Sequence, residues 1–120
     1  MTAVRQAPAE LAEGFVAVCP SDRLQPERGV AALLPDGSQA AVIRTYDGQL
    51  YAVGNIDPFS SAAVLSRGIV GDRSGVPVVV SPVYKQAFDL RSGSCLDEAG
   101  VSVPVYRVRE IDGMVWVGAP

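Results

Sequence analysis

The 120-residue chain contains no histidine, and that absence excludes more chemistry than any residue present establishes. Ser/His/Asp hydrolysis, a Cys–His nucleophile and His-based metal catalysis each need an imidazole to move a proton or hold an ion. None can be built here. Cysteine is nearly as scarce, with only Cys19 and Cys95, far apart in sequence. Without secretory features, two such residues read as reduced, structural thiols rather than as a disulfide. Lysine is represented by Lys85 alone, and nine arginines are scattered along a chain of net charge -3. Phosphate neutralisation needs clustered positive charge, so nucleic-acid binding is not expected.

The first twenty residues lack a basic start followed by an apolar stretch of signal-peptide length, and no apolar run approaches the length of a membrane span. The sequence therefore predicts a cytoplasmic protein with no membrane partner. A Gly-rich loop opening a helix, which would cradle a phosphate, is also missing. What the chain does have is apolar surface: 48% of its residues are hydrophobic, with a mean hydropathy of +0.22. A β-rich core or a standing partner would each cover it. The length suits a single domain that buries a core without disulfide or metal staples.

Turn signals recur at short intervals. Met1 to Glu13 carries no periodicity and is expected to be a flexible N-terminus, with the ordered domain spanning residues 14–118. Phe15–Cys19 is a strand candidate ended by Pro20. Val30–Leu34, Gln39–Thr45 and Gln49–Val53 follow, separated by Pro35-Asp-Gly-Ser38 and Asp47-Gly48, which predicts a three-strand meander. Between Asn55 and Gly68 the pattern breaks, Pro58 forces its predecessor out of the α region, and Ser60-Ser61 can cap one helical turn through Ser66. Further hairpins are expected across Gly71–Gly75, Arg91–Gly93 and Asp112-Gly113. The fold class is all-β: an antiparallel sandwich or small barrel with a loop-rich subdomain and at most one short helix.

Two segments stand out inside that subdomain, Asn55-Ile-Asp-Pro-Phe59 and Ser81-Pro-Val-Tyr84. Together with Val64-Leu-Ser-Arg-Gly68, Lys85-Gln86, Phe88, Leu90 and Gly93-Ser-Cys95, they resemble the small subunit of the assimilatory NAD(P)H-dependent nitrite reductase, a Rieske-like domain. The resemblance covers roughly Gly14 to Gly118. A Rieske centre takes two Cys thiolates and two His imidazoles from Cys-x-His and Cys-x-x-His loops. The resemblance places Asp57 and Phe59, then Ser81 and Tyr84, at those four positions. Nothing in that set holds an iron–sulfur cluster, so no catalytic, cofactor-binding or metal-binding residue is expected in this chain.

The resemblance also implies a partner, a large subunit carrying FAD, sirohaem and an iron–sulfur cluster that reduces nitrite to ammonium. This chain would then be its accessory subunit. Phe59 and Tyr84 are expected to fill the space between the loops, and Asp57 to accept loop N–H groups or to pair with Lys85 or Arg67. In Rieske-type domains the ligand loops form an exposed tip facing the redox partner, which makes Phe59, Arg67, Tyr84, Lys85 and Gln86 docking candidates. Two other readings are a free-standing protein-interaction module and a redox protein using Asp57, Ser81 and Tyr84 on a hard metal ion. Three oxygens on a partly apolar tip make a poor transition-metal site.

Overall fold

The computed structural model describes Pro8, Leu11 and residues 14–120; apart from those two positions, the expected flexible N-terminus over 1–13 lies outside the described residues. Among the described residues there is no α-helix, only two single 3-10 turns at Ser21–Arg23 and Leu65–Arg67. Six strands form one antiparallel sheet: β1 (Val16–Pro20), β2 (Arg28–Leu33), β3 (Gln39–Arg44), β4 (Leu50–Gly54), β8 (Val105–Ile111) and β9 (Met114–Gly118), in the order β1-β9-β8-β4-β3-β2. A second sheet holds β5 (Ile69–Arg73), β6 (Val76–Val80) and β7 (Ala87–Asp89) in sequential order.

Side-chain alternation explains how the layers close. Val16 and Val18 from β1, Val30 and Ala32 from β2, Ala40 and Val42 from β3, Ala52 from β4, Tyr106 from β8 and Val115 and Val117 from β9 meet in one apolar cluster. All six strands thus turn one face inward on a common core, which makes the sheet a nearly closed barrel. The opposite faces of β3 and β4 are covered as well. Ala41, Ile43 and Val53 pack with Val70, Val79, Phe88, Leu90 and Cys95 of the smaller sheet and its loops. Ala40–Ile43 are therefore all fully buried, because alternate residues serve two different cores.

The expected meander is present as β2-β3-β4, with Ala41 facing both Ala31 and Val53. The β5–β6 and β8–β9 hairpins turn on Ser74-Gly75 and Asp112-Gly113, each pair with φ positive at both residues, as a type I′ turn requires. Three expectations are corrected. The short helical turn is not capped by Ser60-Ser61: it sits at Leu65–Arg67, and Ser61 instead takes a left-handed φ of 61°. Pro20 does not stop β1 after Cys19 but is its last residue, paired to Met114 beyond a register shift between Ala17 and Cys19. Ser94–Leu96 is no strand, since only the isolated bridges Phe88–Cys95 and Ser94–Ser102 form there.

Candidate functional site

The site is a pair of loops that leave the two sheets side by side. The first begins where β4 ends and is fixed to the barrel by Asn55, only 2% exposed. Its Nδ2 donates to Gln39 Oε1 at 3.2 Å, its Oδ1 accepts the Ser66 N–H at 2.8 Å, and its carbonyl accepts the N–H groups of Val64 and Leu65. One amide side chain thereby ties the start and the end of the loop to the β2–β3 hairpin. The second loop, Ser81–Gln86, joins β6 to β7.

Asp57 and Ser81 connect the loops. Both are fully buried, and Ser81 Oγ donates to Asp57 Oδ2 at 2.5 Å. The other carboxylate oxygen accepts the Phe59 N–H at 2.8 Å, and Ser81 Oγ accepts the Val83 N–H at 3.2 Å. Burial pushes the Asp57 carboxyl up, but hydrogen bonds from the Ser81 hydroxyl, the Phe59 N–H and Ser60 together outweigh it and hold the group below the usual carboxylate range. The side chain is therefore an anion satisfied by neutral donors. The expected pairing of Asp57 with Lys85 or Arg67 does not occur; Lys85 Nζ donates to the Pro82 carbonyl at 2.9 Å, and Arg67 is exposed.

The two loops share one backbone design. Asp57 and Ser81 each accept, through the side chain, the N–H two residues on; each accepts, through its carbonyl, the N–H four residues on (Ser61 at 2.7 Å, Lys85 at 3.1 Å). The residue in that fourth place has positive φ in both, 61° at Ser61 and 68° at Lys85. Asp89 builds a third copy: its carboxylate accepts the Arg91 N–H, its carbonyl the N–H of Gly93, which has φ 79°. Here the Arg91 guanidinium holds the Asp89 carboxyl low. Sequence reasoning expected a turn across Arg91–Gly93 but missed the part of Asp89, whose only signal is an Asp or Ser four residues ahead of a position that turns left-handed.

The two aromatics that were expected to fill the space between the loops behave differently. Phe59 is half-buried and meets Phe88 with ring centroids 6.3 Å apart at 48°, joining the core under the small sheet. Tyr84 is 59% exposed, so the expectation that it packs inward is corrected. Phe59 finds Phe88 beneath it, whereas both Val83, at the matching second place after Ser81, and Tyr84 stay exposed. Ile56 is also exposed, and Gln86 is half-buried with an Oε1 that finds no partner among the described residues.

The donor set does not fit a Rieske cluster. That centre requires two imidazoles, the chain has none, and its two free cysteines lie apart, Cys19 against the barrel core and Cys95 in the core of the smaller sheet. Among the described residues no three His, Cys, Asp or Glu side chains converge in a way that could hold a metal ion.

A curled antiparallel barrel carrying a three-stranded subdomain with two paired loops is the architecture of a Rieske-like domain, and the sequence profile of the Rieske-like [2Fe-2S] domain matches residues 14–118. Within that class the chain belongs to the family of nitrite reductase small subunits. It is 43% identical over 99 residues to the nitrite reductase (NADH) small subunit of Escherichia coli K12, covering 82% of this chain and 91% of that one. A solved structure from Mycobacterium tuberculosis, described as an NADH-dependent nitrite reductase small subunit, superimposes with a TM-score of 0.85 at 55% identity, over 88% of this chain and 95% of the other. A third relative is the nitrite reductase [NAD(P)H] large subunit of Klebsiella oxytoca, 40% identical over 111 residues; the match takes in 92% of this chain and 11% of that protein.

Proposed function

We propose that this chain is a non-catalytic accessory subunit of a nitrite reductase, docking through its two paired loops on a large subunit that carries the sirohaem, FAD and iron–sulfur cluster and reduces nitrite to ammonium with NAD(P)H. One observation carries the reading: the positions from which a Rieske domain would present its ligands hold Asp57, Phe59, Ser81 and Tyr84, and two of these are spent on each other in a buried hydrogen bond. The bond does the mechanical work that a shared metal would do. It clamps the loops into one rigid tip, so the tip docks without first having to be ordered.

On that tip Tyr84 is the exposed aromatic anchor, while Phe59 packs on Phe88 in the core under the small sheet. Arg67 and Lys85 are exposed cations at its edge, while the one carboxylate inside it, Asp57, is buried and satisfied. Gln86, in the same loop, is half-buried and keeps its Oε1 inside, without a partner among the described residues. An acidic or neutral surface on the large subunit complements this arrangement. The test is co-purification with the large subunit. Tyr84→Glu and Lys85→Glu are expected to weaken the complex while leaving the thermal unfolding of the isolated chain unchanged. Wild-type binding by both variants would remove the loops from the interface, and stoichiometric iron in the purified chain would overturn the accessory reading.

A further inference from the structure

We infer that the large subunit, as a one-to-one partner, covers the whole loop end of this molecule, including Leu33 of barrel strand β2 and Ile56 at the base of the first loop. The inference rests on the accessory-subunit reading above and deepens it. Its first support is the distribution of exposed apolar side chains. Scattered singles are ordinary on any surface, but here six of the seven large ones among the described residues gather at one end. Val83 and Tyr84 are in the second loop. Ile69 pairs with Val80, directly before Ser81, and the Leu96 N–H bonds to the carbonyl of Ala87, directly after Gln86. Leu33, 70% exposed, pairs with Gln39, whose carbonyl accepts the Asn55 N–H, and Ile56 is the next residue. Between the β2–β3 turn and Ile56 lies a hollow of about 250 Å³ floored by Gln39, Asn55 and Pro104.

The seventh, Tyr46, is at the opposite end on the β3–β4 turn. It borders a cleft whose wall includes Glu27, Asp47, Asp72 and Arg91. The large exposed apolar side chains are thus concentrated at one end, and the other carries charges of both signs.

The second support is where the outer strands emerge. β1 starts at Val16, opposite Val117, and β9 ends at Gly118, opposite Arg107. Arg107 is two residues beyond Val105, which faces Val53 at the point where β4 runs out into the first loop. The outward ends of β1 and β9 therefore share the loop end, and the Asp112-Gly113 turn sits about 15–20 Å away at the far end of a five-residue strand. In the Klebsiella oxytoca protein a segment like this chain is part of one polypeptide roughly nine times longer than the segment. Chain continuing past β9 of such a segment leaves from its loop end, whereas on the N-terminal side Leu11 packs back against Phe15, Met114 and Trp116. The covalent arrangement fixes one copy per large subunit and holds the two at high effective concentration.

The experiment is a binding titration of the large subunit with wild-type chain and with Leu33→Glu, Ile56→Glu, Tyr84→Glu and Tyr46→Glu, with the complex mass measured by light scattering. All four side chains are exposed, and amide spectra of each variant report whether it is folded. The expected result is a one-to-one complex, at least tenfold weaker for Leu33→Glu and for Ile56→Glu and within twofold of wild type for Tyr46→Glu. If Tyr84→Glu disrupts binding while Leu33→Glu and Ile56→Glu bind like wild type, this inference is overturned and tip docking stands. A different stoichiometry, or equal damage from Tyr46→Glu, also overturns it. No binding by the wild-type chain overturns both readings.

Discussion

Removing one member of the buried Asp57–Ser81 pair gives the sharpest view of what holds the loops together. Ser81→Ala deletes the hydroxyl that donates to Asp57 Oδ2 at 2.5 Å and leaves a carboxylate in a fully buried position with the Phe59 N–H as its main remaining donor. A hydrogen bond to a charged group contributes about 1.5–3 kcal/mol, and the cost approaches the upper end when the group left behind is buried. For a chain of this length that corresponds to a fall in Tm of about 6–12 °C. Asp57→Ala loses both acceptors and frees the Phe59 N–H as well, so it is expected to cost at least as much. Asp57→Asn keeps an acceptor for the Phe59 N–H and presents an amide that can donate to Ser81 Oγ, and is expected to cost about 1 kcal/mol. Urea unfolding of the wild type, both Ala variants and the double variant closes a thermodynamic cycle. The expected coupling is about 1.5–3 kcal/mol. A coupling below about 0.5 kcal/mol, the range in which independent sites add, would show that the bond does not clamp the loops.

The pH dependence of stability offers a second check on the same group. With its folded pKa held below the unfolded value, Asp57 binds fewer protons in the native state, so its stabilisation is present above about pH 4 and is lost as pH falls through the folded pKa. Acid unfolding of Asp57→Asn should show a shallower decline below pH 4 than wild type; parallel curves would mean that Asp57 is not an ionised acceptor. At the third loop, Asp89→Ala is expected to cost about 1–2 kcal/mol through the turn it builds, and Arg91→Ala distinctly less, because the Arg91 side chain is 55% exposed and its ion pair is screened. Equal losses in chemical denaturation would assign the effect to the ion pair. Gly93→Ala is expected to be the most damaging small substitution, about 3 kcal/mol or more, because φ is 79° and an added Cβ would lie 2.1 Å from the Val103 carbonyl oxygen. A Tm within a few degrees of wild type would show that the segment yields easily.

Local chemistry made the hairpins readable. Asp112-Gly113 is a two-residue turn between alternating apolar runs, and the meander followed from Asp47-Gly48 and Pro35-Asp-Gly-Ser38 in the same way. Long-range packing hid the rest. Ser94–Leu96 lies beside β7 and bonds to it through the Asp89 and Leu96 N–H groups, but the contact is too short for a ladder, so only single bridges form. The short helical turn fell at Leu65–Arg67 because Asn55, across the loop, takes the free N–H groups of Val64, Leu65 and Ser66. That partner is ten residues away and leaves no periodic trace. At the site, the turn-forming character of Asp57 and Ser81 was visible, but their bond to one another was not, since it depends on two loops from different sheets meeting. The opposite fates of Phe59 and Tyr84 depend on packing too, since Phe59 meets Phe88 in the core while the second loop leaves Val83 and Tyr84 exposed.

Nitrite-dependent NAD(P)H oxidation by the large subunit, assayed with no addition, with the wild-type chain and with Tyr84→Glu, bears most directly on the accessory role. Metal-free wild-type chain is expected to restore or raise the activity, with Tyr84→Glu reaching the same plateau only at higher concentration. Unchanged activity at saturating wild-type chain would contradict the accessory role outright.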